Sequence, residues 1–266
     1  MFLKGISKIK NMPLKLITLN TDHGGRPIEK VIDFLQNENA EIVCLQEVYD
    51  GVDSQLENNF RSLRIFKEKL SYPYYSFFPT HAIIIHNKKA PSGNLILSKF
   101  PIINSSFTFF NSYYQEFDFR GWFEKGDYRF VPKGLQEAII NIDDEKINIF
   151  NIHGPWGFDG KDNQERFQAL SIIEKKLENK KNIILAGDFN LNPQTQFVQT
   201  LEKKLINVFK NKIITSFNLE RKKEKGDWEN AIVDMIFVSK EIKIIDSYQP
   251  QVDISDHLPL VIKFYF

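Results

Sequence analysis

Short apolar runs alternate along the chain with polar clusters, and the clusters recur where the runs stop. Residues 14–19 are rich in Leu and Ile and end at Asn20, which predicts a first strand. Residues 42–46 predict a second, buried strand with Glu47 at its exit. Between them Gly24-Gly25 predicts a turn. Pro27 then suits the first turn of a helix reaching about Asn37, with Ile28, Val31, Ile32 and Leu35 at helical spacing. Residues 54–70 read as an amphipathic helix, and Phe167, Leu170, Ile173 and Leu177 give residues 163–177 the same period. Further strands are predicted over residues 74–78, 82–86, 92–98 (entered through a glycine turn), 136–142, 147–152, 182–186, 231–238 and 260–264. Residues 105–133 break this rhythm, being dense in Phe, Tyr and Trp interleaved with charges. They read as a long insertion, as a loop crossing the molecule, or as aromatic core packed over a sheet.

The clusters carry the chemistry. They are Thr18-Leu19-Asn20-Thr21-Asp22, Leu45-Gln46-Glu47, Asn151-Ile152-His153, Gly187-Asp188-Phe189-Asn190, Asp234-Met235-Ile236-Phe237 and Ser255-Asp256-His257-Leu258-Pro259. If the strand ends converge, carboxylates, amides and histidines share a pocket able to hold a hard cation and a phosphate together. Magnesium takes oxygen ligands and usually one or two carboxylates. Glu47 is the strongest ligand candidate, Asn20 can add a carbonyl oxygen, and Asp22 and Asp256 can complete the inner or outer shell. The plainer reading makes Asn20 a turn cap and Glu47 a solvated strand end. Asp188 can orient or deprotonate a water with Asn190 steadying water or a phosphate oxygen, or the pair can simply form an Asx-turn. His257 can stabilise phosphoryl charge, with Asp234 the candidate to orient its other ring nitrogen. His153 is either a second phosphate-facing imidazole or a satisfied core residue.

Composition narrows the setting. The chain has 266 residues and no Pro/Gly/Ser linker or internal repeat, so one domain over residues 1–266 is expected. The aromatic share is high, with 24 Phe, which implies a thick core. A formal net charge of +1 argues against tight, non-specific gripping of long duplex DNA, while leaving room for a smaller phosphorylated substrate. Cys44, the single cysteine, lies in an apolar run and reads as a buried small hydrophobe; one thiol cannot form a disulfide within the chain. The basic N-terminus, residues 1–13, has scattered apolar positions and is expected to be flexible. It lacks the apolar core of a signal peptide, and no stretch is long enough for a membrane helix, so a cytoplasmic monomer is expected.

In their order along the chain, "LITLNTD", "IVCLQEV", "GNLILSK", "NIFNIHGPW", "IILAGDFN", "VDMIFVS" and "SDHLPL" resemble the endonuclease/exonuclease/phosphatase superfamily of metal-dependent phosphoesterases. The resemblance runs from Leu14 to the C-terminus. It implies a DNase I-like α/β (α+β) fold, a four-layer sandwich of two face-to-face mixed β-sheets flanked by helices; periodicity alone supports only a mixed α and β domain. It implies a hydrolase that uses Mg²⁺ or Mn²⁺ to cleave phosphodiester bonds, foremost a nucleic-acid endo- or exonuclease. The alternative is a phosphodiesterase or phosphatase for a lipid headgroup or small molecule, with the aromatic segment resting on a membrane surface. Through the resemblance Asn20 and Glu47 match the metal pair, closed by Asp256-His257. Asp188 and Asn190 match the water-positioning residues, and Asp234 the residue orienting His257. His153 stands at a phosphate-contacting position, and Asp22 at an acidic position of the abasic-endonuclease branch. Two departures stand out. The strand at Gly134-Leu135-Gln136-Glu137 lacks an arginine that many relatives carry, leaving Arg120, Arg129, Lys133 and Arg166 as substrate-binding candidates or plain surface charges. His153 is followed by Gly-Pro-Trp, which fits none of the best-known branches and leaves the substrate open. A non-catalytic module on this fold is disfavoured, because every key position carries a competent side chain.

Overall fold

The structure is a computed structural model and describes residues 12–118, 128–157, 159–222 and 231–266. Along the chain run β1 (Leu14–Asn20), α1 (Ile28–Glu38), β2 (Ile42–Tyr49), α2 (Ser62–Lys69), β3 (Tyr74–Ile85), β4 (Lys88–Ser98), β5 (Ile102–Phe109), β6 (Gln115–Asp118), β7 (Gly134–Ile142) and β8 (Glu145–His153). They are followed by α3 (Gln164–Leu177), β9 (Ile183–Asp188), α4 (Gln196–Glu202), β10 (Ile206–Asn207), β11 (Asp234–Val238), β12 (Lys243–Tyr248) and β13 (Leu260–Tyr265). One sheet has the order β12-β13-β1-β2-β4-β3-β6 and the other β10-β11-β9-β8-β7-β5. Both are mixed, since β1 lies parallel to β2 and β8 parallel to β9 within otherwise largely antiparallel sheets.

Period-two alternation explains the layers. Leu16, Cys44, Ile96 and Ile262 of the first sheet meet Ile140, Ile149, Ile184 and Ile236 of the second in a shared inner core. The alternate residues Ile17, Val43, Leu97 and Val261 face outward and bury Val31, Leu35 and Phe66 of α1 and α2. On the far side Phe150, Leu185 and Phe237 are covered by Leu170 and Ile173 of α3 and Phe197 and Leu201 of α4. The expected four-layer sandwich is the fold. Cys44 sits wholly in the inner core, where burial pushes its thiol pKa up and leaves it inert.

Several local expectations are corrected. The helix expected over residues 54–70 is limited to α2, preceded by a 3₁₀ turn at Asn58–Arg61. Phe60 does not extend the helix face; it packs edge-on against Tyr49 at 5.3 Å. Residues 74–78 and 82–86 belong to one strand, β3, whose register shifts between Pro79 and His81. Gly93 is in mid-strand rather than a turn, because an added Cβ would meet the Phe78 carbonyl at 1.9 Å. Phe167 is half-exposed, and its neighbour Arg166 is fully buried instead. Within the aromatic segment, residues 105–109 complete β5 at the edge of the second sheet and β6 forms the edge of the first, so the segment crosses between the sheets. Phe119, Arg120, Trp122, Phe123 and most of the N-terminal segment lie outside the described residues. Among the described residues no helix is long and apolar enough to cross a membrane.

Toward one end of the strands the inner layer changes from aliphatic to amide. Asn151 accepts from Gln46 Nε2 at 2.6 Å and donates to the carbonyls of Leu45 and Leu95 and to Gln136 Oε1. Asn94 donates to the Asn151 carbonyl at 2.9 Å. This buried amide layer ties β2 and β4 of one sheet to β7 and β8 of the other, directly beneath the strand ends that carry the polar clusters.

Candidate active site

Strand direction gathers the clusters. Because β1 and β2 are parallel, Asn20 ends level with Gln46. Because β8 and β9 are parallel, His153 ends level with Asp188. β11 and β13 run the other way, so their starts reach the same edge: Asp234 pairs with Asp188, and Leu260, three residues after His257, pairs with Thr18. Gly187 is required by close packing between strands rather than by a turn. Its φ is 141°, and a Cβ there would lie 2.1 Å from the Ile152 carbonyl.

Glu47 is not at a strand exit. The strand continues to Tyr49, and a bulge between Leu45 and Val48 turns Glu47 into the cleft with φ at 59°. Asp22, His23 and Asn190 also hold left-handed backbone, at 50°, 50° and 54°. The Asn20 amide then bridges the sheets, donating to Asp188 Oδ2 at 3.1 Å and to Glu47 Oε1 at 3.4 Å. The His23 backbone N–H donates to Glu47 Oε2 at 3.0 Å, and the Asn190 N–H to Asp188 Oδ1 at 2.8 Å. The Asn190 side chain donates instead to the Gly154 carbonyl.

Across the cleft His257 Nδ1 lies 2.7 Å from Asp234 Oδ2. The Asp234 backbone is fixed by Ser216 Oγ, which accepts its N–H at 2.8 Å. Ser255 Oγ accepts from the His257 N–H and donates to the Asn20 carbonyl at 2.7 Å, tying the histidine loop to β1. Phe217 covers the imidazole edge-on at 4.8 Å. Burial alone would lower the His257 pKa, but the Asp234 and Asp256 charges outweigh it and push it up to about 10. The ring is therefore an imidazolium at neutral pH. Burial and then the Asp234 charge push Asp188 up to about 6. Asp22 reaches about 6 through burial, then the charges of Asp256 and Glu47. Glu47 is held well below the carboxylate range: burial opposes this, but His23, Lys133 and the His23 N–H prevail.

A cation fits here. Ligand atoms of Asp22, His23 and Glu47 lie within 4.8 Å of one another, and a cation would offset both the burial and the Asp256 and Glu47 charges that raise Asp22. His23 is an addition to the expected set, and Asp256 stands beside Asp22 as a neighbouring charge.

A family model for the endonuclease/exonuclease/phosphatase family matches residues 17–257. The chain belongs to this family. Its members are phosphoesterase hydrolases, and solved structures agree on the fold. An endonuclease/exonuclease/phosphatase from Beutenbergia cavernae superposes with a TM-score of 0.70 at 14% identity, over 96% of this chain and 72% of the other. D. rerio TDP2 complexed with single strand DNA product gives 0.69 at 14% identity, over 96% and 100%. A mannosyl-6-phosphatase from Bacteroides thetaiotaomicron gives 0.64 at 17% identity, over 95% and 100%. No curated protein sequence matches.

In this phosphoesterase the strand ends bring Asn20, Asp22, Glu47, His153, Asp188, Asn190, Asp234, Asp256 and His257 to one edge of the sandwich, and Glu47 and His257 are joined through Asn20 and Ser255. Two basic residues with an alternative reading as surface charges are instead buried. Arg166 is fully enclosed, donating to the carbonyls of Pro155, Lys161 and Asn190, so it braces the loops behind Asp188. Lys133 enters the site itself, its Nζ 2.6 Å from His153 Nε2. Its only sequence signal is the position immediately before a strand that pairs with the histidine strand. His153 is neutral: burial, then the Lys133 charge, holds its pKa well below the usual value.

Proposed function

We propose that this phosphoesterase is a divalent-cation-dependent hydrolase of phosphodiester bonds in nucleic acid. One observation carries the reading: a single hydrogen-bonded set, linked through Ser255, joins a carboxylate–amide pair (Glu47, Asn20), a buried carboxylate (Asp188) and an aspartate-held imidazolium (Asp234, His257). Asn20, Asp22 and Glu47, with His23 and Asp256 adjacent, would hold Mg²⁺ or Mn²⁺. Bound there, the cation would neutralise charge on the phosphoryl oxygens. Asp188, ionised above about pH 6, accepts a proton from the attacking water, and the Asn190 N–H fixes its orientation. His257 presents its Nε2–H to a phosphoryl oxygen, while Asp234 holds Nδ1 and the positive charge. His153, neutral, lies 3.6 Å from Asp188 and 3.9 Å from Glu47, within reach of the same phosphate.

A run of aromatics supports nucleic acid with unpaired bases. Phe78 stacks on Phe107 at 5.9 Å, Phe107 meets Phe109 at 5.0 Å, and Phe109 meets Tyr113 at 6.0 Å. Phe109 pairs with Gly134, which pairs with His153, so this run ends beside the site, and Tyr113 is 83% exposed. Stacking on aromatic faces adds affinity for each unpaired base whatever its identity. The second reading is a lipid or sugar phosphate, favoured by the near-neutral net charge and by the likeness to a mannosyl-6-phosphatase. The test is a side-by-side panel with Mg²⁺, Mn²⁺ or EDTA: single-stranded and duplex DNA, RNA, bis-p-nitrophenyl phosphate, a hexose 6-phosphate and anionic vesicles. Cleavage of single strands that EDTA stops is the expected result. Hydrolysis of hexose phosphate with nucleic acid untouched would reverse the substrate, and turnover unaffected by EDTA would remove the cation.

A further inference from the structure

Lys133 precedes Gly134, the first residue of β7, which pairs with His153 on β8. Its backbone is pinned on both sides, the N–H donating to Asn111 Oδ1 at 3.1 Å and the carbonyl accepting from Phe110 at 2.9 Å. The side chain is 93% enclosed, with 7% exposure. Its ammonium lies 2.6 Å from Nε2 and 3.2 Å from Nδ1 of His153. That neutral ring is its one side-chain hydrogen-bond partner among the described residues, and none of their carboxylates forms a salt bridge with it. An ammonium carries three donors, and a single neutral imidazole cannot satisfy all of them.

Burying a cation without matching acceptors is costly, and a chain selected for stability alone would place an apolar residue there. Arg166 shows the contrast. Fully buried, it has backbone carbonyls around its guanidinium and the Asp159 carboxylate at 3.7 Å, and it serves the fold. Lys133 keeps donors unmatched, and they open on the cleft where His153 Nε2 approaches Asp188 Oδ2 at 3.6 Å. The missing partner has the chemistry of a multivalent oxyanion. Its charge and several acceptor oxygens would match both the ammonium and the imidazolium of His257 across the cleft.

We propose that Lys133 is a phosphoryl-binding residue, donating N–H bonds to non-bridging oxygens of the group under attack while leaving the cation cluster untouched. This rests on the hydrolase reading for its catalytic meaning, and the test separates the two. Inorganic phosphate is the probe, titrated by calorimetry into the full chain at pH 7.5, in EDTA and again with Mn²⁺. Lys133→Met, which fills the space without charge, should weaken phosphate binding by about tenfold or more, since charge-assisted hydrogen bonds are lost. Mn²⁺ affinity should hold or rise, because the charge that faces Glu47 is gone, and thermal stability should hold or rise. A purely structural lysine would lower stability on removal and leave phosphate binding unchanged; that result overturns the assignment. Lys133→Gln and Lys133→Arg give an independent reading, the first weakening phosphate binding and the second retaining most of it. Equal phosphate affinity in these two variants also overturns it. A wild-type chain that binds phosphate through Lys133 yet turns over no ester would defeat the hydrolase reading alone.

Discussion

Replacing Asp188 with Asn should stabilise the metal-free protein while removing its activity. Burial, and next the charge of Asp234 opposite it, raises the Asp188 pKa from 3.8 to about 6. A carboxylate whose folded pKa is raised favours the folded state only when protonated, so its ionised form subtracts stability. The penalty is absent at low pH, grows from about pH 4 to 6 and is complete above that. Some two units correspond to about 3 kcal/mol, and at 2% exposure solvent screens little of it. Asparagine keeps an oxygen for the Asn190 N–H, but its NH₂ cannot accept from Asn20, which returns about 1 kcal/mol. The net gain is about 2 kcal/mol, or roughly 4–6 °C in Tm for a chain of this size. Thermal unfolding in EDTA at pH 7.5 measures it, and repeating at pH 5 should show the electrostatic part about halved. Activity on bis-p-nitrophenyl phosphate should fall by about 10³-fold or more. A lower Tm for the variant at pH 7.5, or a gain independent of pH, would refute the claim that Asp188 is held ionised against the preference of its surroundings.

The pH dependence of kcat/KM should be a broad bell, rising as Asp188 ionises near pH 6 and falling as His257 loses its proton near pH 10. In Asp234→Asn the main charge sustaining the imidazolium is gone, so the alkaline limb should move down by several units; a limb left near pH 10 would show that Asp234 does not set it. Glu47→Gln should weaken Mn²⁺ binding by about tenfold or more in calorimetry, and unchanged affinity would move the cation away from the Asp22–His23–Glu47 cluster.

Much of the site was legible because its residues interrupt apolar runs. Asn20, His153 and Asp188 each close a strand whose buried positions are largely apolar, and a polar side chain at such an end points to chemistry or capping. Glu47 was identified but misplaced, because the residues after it, Val48 and Tyr49, carry the apolar pattern onward and a bulge leaves no mark in periodicity. The helix over residues 54–70 was overextended for a related reason. Leu56 and Phe60 have helical spacing, yet they fold as a turn that buries both beside Tyr49. β5 stayed hidden because it is an edge strand with most of its residues half-buried, so neither face stands out in polarity. Lys133 and Arg166 look alike in sequence. Only the number of acceptors around each in the folded chain separates a brace from a binding group.

The amide layer beneath the site gives the arrangement its physical logic. An aliphatic interior between two sheets tolerates small slippage, since apolar contact has no preferred direction. Amides do not, because each hydrogen bond between Asn151, Gln46, Gln136 and Asn94 has a narrow range of distance and angle. Placed one residue before Glu47 and two before His153, Gln46 and Asn151 fix the separation of β2 and β8 where it matters. The Asn20–Asp188 bond, which spans the same gap at 3.1 Å, would fail with a shift of well under one residue. Aliphatic packing at the far end supplies stability without direction, and the directional bonds stand at the end where carboxylates repel one another within each sheet, Asp22 with Asp256 and Glu47, and Asp188 with Asp234.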